Sequence, residues 1–124
     1  MSFRLLSGAL GLFHTINGLV MISSPARWFA TTPGASATGP FNPHLVIDVG
    51  LGFLAAGLAF LATAWRRSFQ LAAFGASGFV MFHALFHLAH LTMGRSGDAR
   101  VDVAIVVPAF LSMALAWPRG KAAA

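Results

Sequence analysis

Four apolar stretches, each close to the length of a membrane-spanning helix, constrain this chain more than any other feature of its sequence. They cover residues 3–22, 44–65, 69–93 and 101–117. A helix rises about 1.5 Å per residue, so roughly 20 residues cross about 30 Å of hydrocarbon. Unpaired backbone groups are too costly in lipid for any structure except helices and closed barrels, and these stretches lack the alternation of barrel strands. The sequence therefore predicts an all-α, polytopic membrane protein, with a single four-helix transmembrane bundle over residues 1–124.

The charged residues exclude two classes of protein. Only 9% of the residues are charged, whereas a soluble domain carries about a quarter. The sequence is therefore not that of a water-soluble protein. The net charge of +5 comes from basic residues at the ends of the apolar stretches rather than on one face, so nucleic acid is not a predicted partner. The chain has no cysteine, which excludes disulfides, iron–sulfur clusters and thiolate zinc sites.

The same charges predict the orientation of the four spans. With four crossings, both termini and the connection between the second and third stretches share one side of the membrane. That side holds five basic residues and no acid: Arg4, Arg66, Arg67, Arg119 and Lys121. On the other side Asp98 and Asp102 offset the basic residues Arg27, Arg95 and Arg100. The positive-inside rule therefore places both termini in the cytoplasm.

The connection between the first two stretches, residues 23–43, is a long outer loop rich in Pro, Gly, Ser and Thr. Trp28 and Phe29 within it suit the membrane interface, and a loop of this length is often a lid or a binding loop. The first stretch also has features of a signal peptide. However, His14 and Asn17 interrupt its apolar part and no small-x-small cleavage site follows promptly, so we predict that it is retained.

Three histidines in the run "FHALFHLAHL" are the most unusual feature of the third stretch. His83, His87 and His90 have the spacing i, i+4, i+7, which places them on one helical face. A charged or strongly polar side chain facing lipid is costly, so such residues normally face the interior of a bundle. We therefore expect these imidazoles to point towards the other helices.

Polar residues of the other stretches fall at matching depths on the outer side. Counted from the outer surface of the membrane, three depths can be distinguished. The outermost holds His44, His90 and Asp102, the next holds Asp48, His87 and Asn17, and the deepest holds His14 and His83. The remaining inner half is almost purely apolar. Three helical faces combine these polar residues with small ones and are predicted to face inward: Ser7, Gly11, His14 and Gly18; His44, Asp48, Gly52 and Ala55; and Asp102, Ala109, Ser112 and Ala116.

A metal site is the first function that this column of polar residues indicates. Imidazoles at i and i+4 on a helix converge on one ion. The predicted ligands are His83 and His87 with His44 or His90, and Asp48 is a further ligand or an orienting partner. Asn17 and Asp102 are candidates for the surrounding hydrogen-bonding shell. Zinc, iron and copper all suit imidazole and carboxylate ligands.

Two other cofactor or proton functions fit the same residues. Haem b needs two imidazoles on different helices at equal depth, which His14 and His83 provide. A proton relay or a quinone site would use Asp48 together with the histidines. The candidate partners are therefore the lipid bilayer, a quinone, another membrane protein or a second copy of the chain.

The polar residues also have simpler explanations. A single buried histidine usually bonds to a neighbouring helix and stabilises packing. His44 is placed to cap the second helix, and Asp102 suits the first turn of the fourth, where the helix dipole favours an acid. The chain would then be a non-catalytic membrane subunit. A small transporter is a further alternative, although the apolar inner half argues against a continuous path. Whether the protein is an enzyme is left open.

The segment "GPFNPHLVIDVGLGFLAAGLAFL", followed by a histidine-bearing third helix, resembles small four-helix bacterial membrane proteins of the DoxX-like and DUF4345-type families. The specific part is Asn42-Pro43-His44, Asp48-x-Gly50 and the run containing His83, His87 and His90. The resemblance implies a multi-pass protein of the bacterial inner membrane. DoxX-like proteins are associated with quinone-linked or redox roles, which the resemblance implies here without assigning a catalytic residue to any position.

Overall fold

The structure, a computed structural model, describes residues 2–94 and 99–118, and this part of the chain is helical with no β-strand. Its helices are α1 (Phe3–Ser23), α2 (Pro25–Thr31), α3 (Pro43–Trp65), α4 (Gln70–Thr92) and α5 (Ala99–Ala116), with 3-10 turns at Ala35–Thr38 and Arg67–Phe69. The four long helices coincide with the four apolar stretches to within two residues at each end. The predicted all-α class is confirmed.

Within the described part of the chain, three helical segments are long and apolar enough to cross a membrane: Phe3–Ser23, Pro43–Trp65 and Arg67–Thr92. No more than a third of the most apolar part of each is buried inside the protein, at 33%, 33% and 22% respectively. The remaining surface carries exposed Leu, Phe and Val side chains. Such a large apolar surface is unsuited to water and suited to lipid. These three segments support the prediction of a membrane protein, while the fourth span, α5, stays a prediction.

Polar residues define where two of the spanning helices begin. The Asn42 side-chain Oδ1 accepts a hydrogen bond of 3.2 Å from the backbone N–H of Leu45, and Pro43 occupies the first position of α3. These are the usual roles of an N-cap residue and of a proline whose missing N–H would be unpaired anyway. The Ser2 hydroxyl accepts in the same way from the N–H of Leu5, at 3.4 Å.

Helices α1 and α3 pack with their backbones almost in contact. A Cβ atom added to Gly18 would lie 2.7 Å from the carbonyl oxygen of Gly50, and one added to Gly50 would lie 3.2 Å from the carbonyl oxygen of Gly18. Glycine permits this approach because it has no side chain, and dispersion contacts between close backbones drive helix association where lipid gives no hydrophobic force. Helix α3 also packs against α4, α4 against α5, and α5 contacts α1.

The core lies along α3 and divides into two clusters. Phe53 is the large residue of one, beside Met21 and Val80, and Phe60 is the large residue of the other, beside Leu10. The remaining members include alanines of α3, α4 and α5: Ala56, Ala73, Ala84, Ala109 and Ala116. Aromatic rings on α3 therefore fill the space that small residues on the neighbouring helices leave.

The predicted outer loop, residues 23–43, contains the short helix α2 and a 3-10 turn. The Trp28 indole N–H donates a hydrogen bond of 3.2 Å to Asn17 Oδ1. Trp28 and Phe29 also pack against the cluster that contains Met21 and Val46. Helix α2 is thereby fixed across the end of α1 and α3.

Four of the charges used to predict the orientation, Arg95, Asp98, Arg119 and Lys121, lie outside the described residues. The orientation of the termini stays a prediction.

Candidate functional site

A short contact between two ionisable side chains joins α4 and α5. His87 Nδ1 lies 2.9 Å from Asp102 Oδ1, with side chains 23% and 7% exposed. The two helices are antiparallel, so the end of α4 lies beside the first turn of α5, where Asp102 is also favoured by the helix dipole. An ionised carboxylate can only accept, so a neutral His87 donates its Nδ1 proton to Asp102, which leaves Nε2 as an acceptor.

His83 lies one turn deeper on the same face of α4. Its ring centroid is 4.8 Å from that of His87. The His83 ring also stacks on Phe79, with centroids 6.1 Å apart, and meets the ring of Phe53 edge-on at 5.5 Å. Two imidazoles therefore adjoin each other, one held by a carboxylate and the other by aromatic rings.

A second polar contact lies between α1 and α5. His14 Nε2 and Ser112 Oγ are 2.9 Å apart, and both residues are fully buried. His14 Nδ1 has no hydrogen-bond partner within the described residues, and neither does the hydroxyl of the fully buried Ser7, two turns earlier in α1. The region predicted to be almost purely apolar thus contains buried polar atoms. The sequence placed Ser7 and Ser112 on inward faces, but nothing in it marked Ser112 as the partner of His14.

His44 and Asp48 form a separate pair on the outside of α3. His44 Nδ1 lies 3.5 Å from Asp48 Oδ2, and the two side chains are 84% and 58% exposed. The structure does not bring this pair to His87, whose acidic neighbour is Asp102. The expectation that Asp48 faces the interior is wrong, because the buried face of α3 is formed by other residues, Val46, Gly50 and Phe53 among them.

The other predicted site residues have different neighbours. The ring of His90 packs on Phe86 with centroids 4.2 Å apart. Asn17, proposed as part of a metal's surrounding shell, instead bonds to Trp28 and donates to the sulfur of Met21 at 3.6 Å. Across residues 2–94 and 99–118, no three His, Asp or Glu side chains are grouped as metal ligands.

The ring of Phe53 lies between His14 and His83. It stacks on His14, with centroids 5.8 Å apart, and meets His83 at 5.5 Å. A haem held by His14 and His83 would have to displace this ring and break the bond between His14 and Ser112. The present arrangement of these residues is closed to a haem.

Comparison with known proteins gives no relative: no family model, curated protein or solved structure matches the chain. The resemblance to DoxX-like proteins stays a prediction.

Proposed function

We propose that this chain is a proton-transferring membrane protein in which His87 and Asp102 form the proton-binding site. The observation that carries the proposal is the 2.9 Å contact between His87 Nδ1 and Asp102 Oδ1 in a mostly buried position between two helices. Histidine is the side chain whose charge changes most readily near neutral pH. A carboxylate bonded to one ring nitrogen fixes the tautomer of the neutral ring.

A second imidazole, that of His83, lies next to this pair and can accept the proton that His87 releases. The His83 ring is 4.8 Å from that of His87, close enough for a rotation of either ring or one bridging water to link them. Intramembrane chains of His and acidic residues are typical of proton relays. The exposed pair formed by His44 and Asp48 lacks such a neighbour among the described residues.

Buried polar atoms deeper in the protein support a continuation of the relay. The unpaired His14 Nδ1 and Ser7 Oγ are both buried, and polar atoms in that position usually bond to buried water. Phe53 separates His83 from His14. Transfer past it requires a water molecule or a movement of the ring.

The proposal places the protein in a membrane with four spans, α5 being the fourth, and with both termini in the cytoplasm. In a bacterial inner membrane, as the resemblance implies, the His87–Asp102 pair would face the periplasm. A quinone or a redox membrane protein is the partner class whose chemistry exchanges protons at such a position.

Proton uptake by proteoliposomes tests the proposal. The purified protein is reconstituted with an internal pH-sensitive dye, and a potassium gradient with valinomycin imposes a negative interior. We expect proton entry faster than in protein-free vesicles, and loss of that excess in the His87→Gln and Asp102→Asn variants. His44→Gln, which alters the exposed His–Asp pair, is the matched control and should conduct like the wild type. Wild-type entry equal to that of empty vesicles would refute the proposal.

A metal site is the second candidate, favoured by one observation. Metal-binding histidines usually donate their other ring N–H to a carboxylate, which is the geometry of His87 with Asp102. His83 would be the second imidazole. The ion, whether zinc, iron or copper, would need ligands from solvent or from a partner.

A further inference from the structure

One end of the protein carries basic side chains and, among the residues that the structure describes, no acidic ones. Arg66 and Arg67 lie between α3 and α4, whereas the acids of the described residues lie at the other end: Asp48 near the start of α3 and Asp102 in the first turn of α5. Neither Arg66 nor Arg67 forms an ion pair with an acid of the described residues. The charge is therefore available to an anion from outside the chain.

A surface cavity of about 330 Å³ lies at this end between the start of α4 and the end of α5. Its lining residues are Arg67, Ser68, Gln70, Leu71 and Pro118. The two walls are tied together, because Gln70 Nε2 donates to the carbonyl oxygen of Trp117 at 3.1 Å and approaches those of Leu115 and Ala116 at 3.5 Å.

Arg67 is held in place by an aromatic ring rather than by an acid. Its guanidinium carbon lies 4.1 Å from the ring centroid of Phe3. A cation–π contact uses the face of the guanidinium group, so the N–H donors on its edge remain able to bind an oxyanion. Arg66, one residue earlier, instead places its guanidinium carbon 4.5 Å from the Trp65 ring and does not line the cavity.

We propose that this cavity binds the headgroup phosphate of an anionic phospholipid. Arg67 presents the fork of donors that matches a phosphate, and the Ser68 hydroxyl is available as a further donor. Leu71, which is 69% exposed, adds an apolar wall. An acyl chain can pack against this wall, whereas a free phosphate cannot. The cavity adjoins the end of Arg67–Thr92, one of the segments suited to cross a membrane, so lipid headgroups lie at its level. Basic pockets at helix ends are a known form of anionic-lipid site.

Native mass spectrometry of the detergent-purified full chain tests this site. Phosphatidylglycerol, phosphatidylcholine and inorganic phosphate are added separately at graded concentrations. We expect the wild type to retain phosphatidylglycerol in preference to phosphatidylcholine. We expect Arg67→Gln to weaken phosphatidylglycerol binding about 10-fold, as for loss of one charge-assisted pair. Arg67→Lys keeps the charge but removes the paired N–H donors of the guanidinium group. Its affinity for phosphatidylglycerol should lie between those of the wild type and Arg67→Gln.

The matched control is Arg66→Gln, which removes the same charge one residue away. It should bind phosphatidylglycerol like the wild type. Equal losses of phosphatidylglycerol binding in Arg66→Gln and Arg67→Gln would mean that the lipid is attracted by the overall positive charge rather than by a specific site. That result would overturn the proposal. So would inorganic phosphate that binds as tightly as the lipid and displaces it, since the site would then recognise phosphate alone. Far-UV circular dichroism of each variant verifies that it is folded.

Discussion

His14 and Ser112 join α1 to α5 through a hydrogen bond of 2.9 Å between fully buried side chains. In the Ser112→Ala variant both ring nitrogens of His14 would be without a partner, since Nδ1 already has none within the described residues. An unsatisfied buried polar group costs about 1–3 kcal/mol. We therefore expect Ser112→Ala to lower the free energy of unfolding in detergent micelles by that amount. Ser36→Ala, at an exposed position, should leave it unchanged, and an equal effect of both substitutions would contradict the role of the bond.

The faces of α1 and α5 could be predicted from their sequences. Ser7, Gly11, His14 and Gly18 are all buried, and so are Asp102, Ala109, Ser112 and Ala116. On these helices the polar and small residues recur with the helical period, and such residues face the interior because lipid accepts large apolar side chains equally well. The spacing of polar and small residues was therefore sufficient to predict which faces of α1 and α5 are buried.

The same rule failed on α3. His44, Asp48 and Ala55 are exposed, while Phe53 and Phe60 are buried. Hydrophobicity does not distinguish a core phenylalanine from a lipid-facing one, because both environments are apolar. Asp102 was a candidate for the hydrogen-bonding shell, but its direct bond to His87 was not predicted. Asp102 comes from the start of α5, and only the pairing of α4 with α5 brings it to His87.

Gly57 and Gly75 offer a direct comparison of packing on two helices. A Cβ atom at Gly57 would overlap the hydroxyl oxygen and backbone nitrogen of Thr15, whereas one at Gly75 would have no atom within 4 Å. We expect Gly57→Ala to destabilise the protein by about 1–3 kcal/mol through overpacking. Gly75→Ala should leave stability unchanged or raise it by up to about 1 kcal/mol, because alanine favours the helix. Unfolding in mixed micelles measures both, and similar values would mean that α1 and α3 are not in close contact.

Trp28 should control how firmly α2 is held. Its indole N–H donates to Asn17 at 3.2 Å, and a net hydrogen bond contributes about 0.5–1.5 kcal/mol. In the Trp28→Phe variant we expect α2 to open more often and limited proteolysis within residues 24–42 to become several-fold faster. Trp65→Phe is the control because Trp65 is 67% exposed and far from α2 in the sequence. Unchanged cleavage in Trp28→Phe would mean that packing alone holds α2.

The metal content of the purified protein distinguishes the two candidate functions, proton transfer and metal binding. Two adjacent imidazoles are fewer ligands than a tight zinc site requires. We expect elemental analysis of the purified protein to show less than one zinc, iron or copper per chain, and its absorption spectrum to show no haem band. One bound metal per chain, lost in a His83→Ala/His87→Ala double variant but kept in His44→Ala, would contradict this expectation and favour the metal site.

The absence of cysteine from the chain makes the membrane topology directly measurable. Single substitutions Ser2→Cys, Ser36→Cys, Ser68→Cys and Ala122→Cys each introduce one reactive thiol. With a membrane-impermeant maleimide on intact spheroplasts, we expect labelling of Ser36→Cys alone, and labelling of the other three only after the membrane is opened. Ala122→Cys is the decisive variant, because four crossings put it on the same side as Ser2→Cys, whereas three crossings put it on the opposite side. Its labelling in intact spheroplasts, with Ser2→Cys protected, would mean that α5 does not span the membrane.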